Sequence, residues 1–120
     1  MKVYIPKEPP IDKQTFNANG KRWFVSRLIE KAKELPVQIM PMSALNLYTL
    51  SPHIENMKSF VSHVQAVMDA DLSYPIILDE EGYVMDGRHR IAKALLEGKE
   101  NISFVRFDET PQPDYFEKEE

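Results

Sequence analysis

The chain contains no cysteine, which removes disulfides, thiolate metal sites, iron–sulfur clusters and thiol-based catalysis. That absence fits a reducing compartment. It also lacks any window of about 18 uncharged apolar residues, so no membrane-spanning helix is expected. The opening Met1-Lys2-Val3-Tyr4-Ile5-Pro6-Lys7-Glu8-Pro9-Pro10 has neither the apolar stretch nor the small-residue cleavage site of a secretory signal. A cytoplasmic protein is therefore expected. No internal repeat or low-complexity tract occurs. Excess positive charge is missing as well: the net charge is −4. Residues 108–120 set Asp108, Glu109, Asp114, Glu117, Glu119 and Glu120 against Lys118 alone, a net −5, which leaves +1 for the rest. Weak or no duplex DNA binding is expected, because a sequence-independent grip on DNA depends on many phosphate neutralisations.

What is present is one domain's worth of chain, 120 residues with 42% hydrophobic and 28% charged, enough to bury a core without staples. Residues 1–20 carry Pro6, Pro9 and Pro10 and end in Asn17-Ala18-Asn19-Gly20, an irregular arm. Phe24, Leu28, Ala32 and Leu35 recur at steps of four, four and three, which predicts an amphipathic helix from Lys21 to Leu35, stopped by Pro36. Val37 to Met40 is a strand candidate. Ser51-Pro52 offers a helix start, and Ile54, Met57, Val61, Val64 and Met68 mark one apolar face out to about Ala70.

Tyr74 to Leu78 predicts a strand, Asp79-Glu80-Glu81-Gly82 a turn, and Tyr83-Val84-Met85 the returning strand of a hairpin. A short helix with Ile91, Ala94 and Leu95 inward follows, with Gly98 just past its end. Asn101 to Phe107 alternates toward a final strand, and the acids of 108–120 form a tail. The expected domain is residues 21–107, an α/β (α+β) fold with a small mixed sheet flanked by helices.

One stretch carries chemistry, Asp86-Gly87-Arg88-His89-Arg90. A glycine between strand and helix lets the backbone approach a ligand, and the first helical N–H groups, at the positive end of the dipole, receive anions. Two arginines and a histidine in a first helical turn are unfavourable for the dipole. A bound phosphate would resolve this through charge-assisted hydrogen bonds. Gly87, Arg88, His89 and Arg90 are the candidate phosphate-binding residues, and Asp86 could hold magnesium. The competing reading is structural: Asp-Gly is a common turn pair, the arginines could pair with Asp86, Glu80 or Glu81, and His89 could be a buried histidine bonded to backbone.

The order Pro75-Ile76-Ile77-Leu78, a turn ending in Gly82, a short strand, then Asp86-Gly87-Arg88-His89-Arg90 with its helix, Gly98 and a final strand resembles the ParB/sulfiredoxin-like superfamily over residues 37–107. Family members bind nucleotide phosphates at this turn. Arg88 stands where sulfiredoxins carry the catalytic cysteine, so that reaction is excluded. ParB partition proteins carry Gly-Glu-Arg-Arg here and continue into a helix-turn-helix and a dimerisation domain; this sequence ends soon after the first domain, which makes centromere binding an unfavoured reading. The pattern is most similar to the Asp-Gly-His-His-Arg of ParB-like small-molecule kinases, with Arg88 replacing the first histidine.

The resemblance implies a nucleoside di- or triphosphate ligand (ATP/ADP or CTP) with Mg2+. It also implies phosphotransfer to a small hydroxyl substrate or nucleotide hydrolysis, with Asp86 at the metal. Glu55, next to His53, is the candidate base; its structural alternative is simply to favour a helix N-terminus. The alternatives in function are a ParB-like nuclease and a non-catalytic nucleotide-sensing module that contacts a protein partner.

Overall fold

In the computed structural model, residues 1–48, 50 and 53–116 are described. Among the described residues, seven strands and three α-helices follow one another as β1 (Thr15–Ala18), β2 (Lys21–Phe24), α1 (Val25–Ala32), β3 (Gln38–Pro41), α2 (Met57–Asp69), β4 (Ile76–Leu78), β5 (Val84–Asp86), α3 (Arg88–Leu96), β6 (Asn101–Arg106) and β7 (Tyr115–Phe116). The central sheet has the order β3-β6-β4-β5 and is mixed: β4 runs parallel to β6, while β3–β6 and β4–β5 are antiparallel. A second, antiparallel sheet has the order β1-β2-β7. The architecture is a small α+β domain with a mixed sheet flanked by helices.

The period-two alternation of the central strands gives the sheet two apolar faces. Ile77, Met85 and Val105 point to one face, where they meet Trp23, Leu28, Ala32 and Phe107. Ile76, Leu78, Val84 and Ile102 point to the other and pack with Met42 and with Ile91 and Ala94 of α3. Leu95, expected inward, is 45% exposed.

Three expectations are corrected. The segment Lys21–Phe24 is strand, not the first turn of a helix, and Thr15–Ala18, expected in an irregular arm, pairs with it. Asn19 and Gly20 both have positive φ, 53° and 77°, the backbone of a two-residue hairpin turn that an Asn-Gly pair favours. α1 therefore begins only at Val25. Second, residues 108–116 do not leave the domain. The Trp23 indole N–H donates to the Pro111 carbonyl at 2.8 Å, Arg27 pairs with Asp114 at 2.9 Å, and β7 extends the small sheet.

Third, α2 starts at Met57, capped by Asn56 in a reciprocal box with Ser59; the expected start at Ser51-Pro52 lies outside the described residues. Its apolar face is exposed, with Met57 at 74% and Met68 at 63%. The opposite, polar face docks instead. Ser62 Oγ donates to the Pro6 carbonyl at 2.7 Å, and Lys93 Nζ of α3 donates to the Met68 and Ala70 carbonyls at 2.9 and 2.6 Å. Lys93 thereby neutralises the negative end of the α2 dipole.

Gly87 joins β5 to α3 at φ 118°, and a Cβ built there would sit 2.5 Å from Ile76 Cγ2. Gly87→Ala should cost about 2–5 kcal/mol from a left-handed backbone plus overpacking. Gly20 has a positive φ too but nothing within 4 Å, so Gly20→Ala should cost about 1–2 kcal/mol. Urea unfolding of the two variants checks the difference; equal losses would show that contact with Ile76 contributes nothing.

Candidate functional site

Because Gly87 turns the chain by close approach to Ile76, the three residues after it occupy the first turn of α3 at fixed positions. No side chain caps that turn, and the N–H groups of a first turn have no intrahelical acceptors. A cleft of about 500 Å3 opens above it, with Glu8, Lys13, Gln14, Asp71, Asp86, Arg88 and His89 among its walls. The structure thus brings five of the six sequence-predicted site residues, Asp86 to Arg90, to one cleft.

Their partners divide the labour. Asp86 Oδ2 accepts from Arg90 Nη2 at 2.7 Å, an ion pair that straddles Gly87 with both side chains largely buried. Arg90 Nε is also buried and has no hydrogen-bond partner among the described residues. Arg88 extends the other way, its guanidinium carbon 5.9 Å from the centre of the Phe16 ring, within cation–π range. It borders a second cleft of about 780 Å3 between the β1–β2 hairpin and the β4–β5 turn. Partial burial lowers the Arg88 pKa from its usual value, an effect that Asp86 opposes.

Glu55 is placed elsewhere. It is exposed, lies before the first turn of α2, pairs with the His53 imidazole at 3.2 Å, and does not line the 500 Å3 cleft.

His89 belongs to a cluster that sequence reasoning missed. Its Nε2 lies 2.8 Å from His63 Nδ1, and Glu8 Oε1 lies 3.2 Å from the same Nδ1. The ligand atoms of Glu8, His63 and His89 all fall within 4.8 Å of one another, and the three residues are partly buried. This is a potential metal-coordinating cluster. They come from the N-terminal arm, α2 and α3, so no local spacing announces them; the signal available in the sequence was that only three histidines exist.

No family model, curated protein or solved structure matches this chain. No helix among the described residues is long and apolar enough to cross a membrane.

Burial is the main cause that lowers the His89 pKa; Glu8 and Asp86 raise it, while His63 and Arg90 lower it. With the folded value below the unfolded one, the unfolded chain takes the proton first as pH falls. His89 therefore contributes fully above an ordinary histidine pKa of about 6.5, and its contribution is lost as pH falls through the depressed value. In metal-free protein, urea midpoints should decline below about pH 6.5, less steeply in His89→Gln. Superimposable profiles would show that His89 titrates alike in both states.

Proposed function

We propose that this is a ParB/sulfiredoxin-like nucleotide-binding domain that holds the phosphates of a nucleoside di- or triphosphate, with Mg2+ carried by the nucleotide, at Gly87, Arg88, His89 and Arg90. The observation that carries the reading is the uncapped first turn of α3 on the floor of an open cleft, with Arg88 and His89 in its wall. Phosphate oxygens there would accept from backbone N–H groups at the positive end of the dipole and from the Arg88 guanidinium. The order strand, acidic turn, strand, Asp86-Gly87-Arg88-His89-Arg90 helix and parallel strand supports the resemblance in fold.

Binding without turnover is the form of this reading favoured by the positions of the carboxylates. Phosphotransfer to a small hydroxyl substrate would need a base at the acceptor, and Glu55 faces His53 outside the cleft. A metal role for Asp86 would compete with Arg90, which already takes one of its oxygens. Neither a nuclease nor a hydrolase reading gains an observation of its own, whereas a sensing module that passes nucleotide occupancy to a protein partner requires only the cleft.

The test is a thermal-shift and calorimetric panel of adenine, cytosine, guanine and uracil nucleotides with and without Mg2+. A nucleotide at a hundred times its Kd should add about 2.7 kcal/mol of stability. Arg88→Ala is the informative variant, because Arg90→Ala would strand the largely buried Asp86 and disturb folding as well. Removing the Arg88 contact should weaken binding by about 1.5–3 kcal/mol, with little change in stability. Unchanged affinity in that variant, or no response to any nucleotide, would overturn the assignment.

A further inference from the structure

We propose that Glu8, His63 and His89 form a binding site for a divalent first-row transition ion, zinc foremost, which ties the N-terminal arm to α2 and α3. The proposal shares His89 with the phosphate reading but does not rest on it, because it uses the side-chain lone pairs of the cluster rather than the helix N-terminus.

The hydrogen-bond roles carry the argument. His63 Nε2 is 2.9 Å from the backbone carbonyl of His53, which can only accept, so Nε2 carries the hydrogen. In neutral His63, Nδ1 is then a lone pair. That lone pair faces His89 Nε2, 2.8 Å away, and Glu8 Oε1 lies 3.2 Å from the same nitrogen. A carboxylate oxygen and an imidazole lone pair in such contact call for a positive charge between them. A metal-bound histidine has the same arrangement, one nitrogen on the ion and the other donating to a carbonyl that fixes its tautomer.

The spacing is close to that of a bound ion. With metal–ligand bonds of about 2.0–2.2 Å, donors around a tetrahedral zinc stand roughly 3.3–3.6 Å apart, so the 3.2 Å between Glu8 and His63 is nearly met and the 2.8 Å between His63 and His89 would widen by about half an ångström. The third separation, between Glu8 and His89, lies within the 4.8 Å spread of the cluster, and closing it needs only a shift of Glu8 on the arm. Two imidazoles and one carboxylate suit zinc, cobalt, nickel, copper or iron(II), whereas Mg2+ and Ca2+ prefer all-oxygen shells. Burial also favours the neutral, ligating form of His89.

The cluster has a structural task as well. Ser62 is the one buried residue of α2, and the helix is held by polar contacts: Lys93 at its C-terminus, Ser62 on the arm and His63 on His89. An ion at the centre of three segments would convert these contacts into one joint, and its remaining coordination positions would open toward the cleft that Glu8 and His89 line.

The experiment uses the whole chain without an affinity tag, stripped with a chelator and titrated with Co2+ by visible absorption and with Zn2+ by calorimetry. One equivalent of Co2+ should give ligand-field bands that Zn2+ abolishes, and Mg2+ should not compete. His63→Ala and Glu8→Gln should each weaken binding more than about 10-fold, the lower bound seen even for outer partners of metal ligands. Glu8 lies on the arm, so Glu8→Gln leaves the core untouched if His63→Ala fails to fold. His53→Ala, which keeps the backbone carbonyl and removes an exposed imidazole, should bind as wild type does. Absence of stoichiometric binding, full affinity in Glu8→Gln, or loss of binding in His53→Ala would each overturn the site; the first would mean that a shared proton supplies the positive charge.

Discussion

The structure depends on a missing carbon atom. β4 and β5 are paired antiparallel, and α3 must leave the end of β5 while its Ile91 and Ala94 stay over the same apolar face as Ile76. The chain can turn that sharply only if residue 87 adopts a left-handed backbone and lies directly on Ile76, which excludes any Cβ. Everything chemically distinctive follows from that turn. It sets the first turn of α3 at the sheet edge, aims Arg88 and Arg90 to opposite sides, and brings His89 to His63. Gly87 was read in the sequence as a place where backbone meets ligand. In the structure its missing side chain is used by the core, and the helix N-terminus is what remains available to an anion.

The parts of the fold that could be read in the sequence are those in which a local signal and a tertiary need coincide. The hairpin 76–86, the helix after Gly87, and the strand after Gly98 have turn residues at their ends and apolar residues at the right period. The β1–β2 hairpin was missed because Phe24, Leu28 and Ala32 fit a helical period that began one element too early, although Asn19-Gly20 marked the turn. α2 teaches a different lesson. Its apolar residues do share a face, but periodicity identifies an amphipathic helix without saying which face is bound. Here the bound face carries Ser62 and His63, and its partners lie in the arm and in α3.

The same limit explains the candidate site. Asp86 to Arg90 are contiguous, so composition alone exposed their unusual charge. Glu8 and His63 reach His89 from separate segments, and nothing near either residue marks it as part of a cluster. Asp86 illustrates how a carboxylate that looks available in sequence is claimed by a neighbour at i+4, where a helical turn places Arg90 against it. Of two arginines in one turn, the ion pair occupies one and leaves the other to the cleft.

His89 is where the two proposed ligands meet, and its two ring nitrogens decide whether they coexist. Nε2 faces His63 and is the atom within the Glu8–His63–His89 cluster. A phosphate in the cleft can then draw on His89 only through Nδ1, which carries a hydrogen when Nε2 holds a metal. Metal coordination would therefore lock the donor tautomer that a phosphate oxygen needs, and withdraw electron density from the ring that donates. Without the metal, burial favours the neutral form of His89, in which one ring hydrogen must serve either His63 or the cleft. With both ligands bound, the two sites would be coupled through a single imidazole, and an ion on one side of the ring would strengthen anion binding on the other.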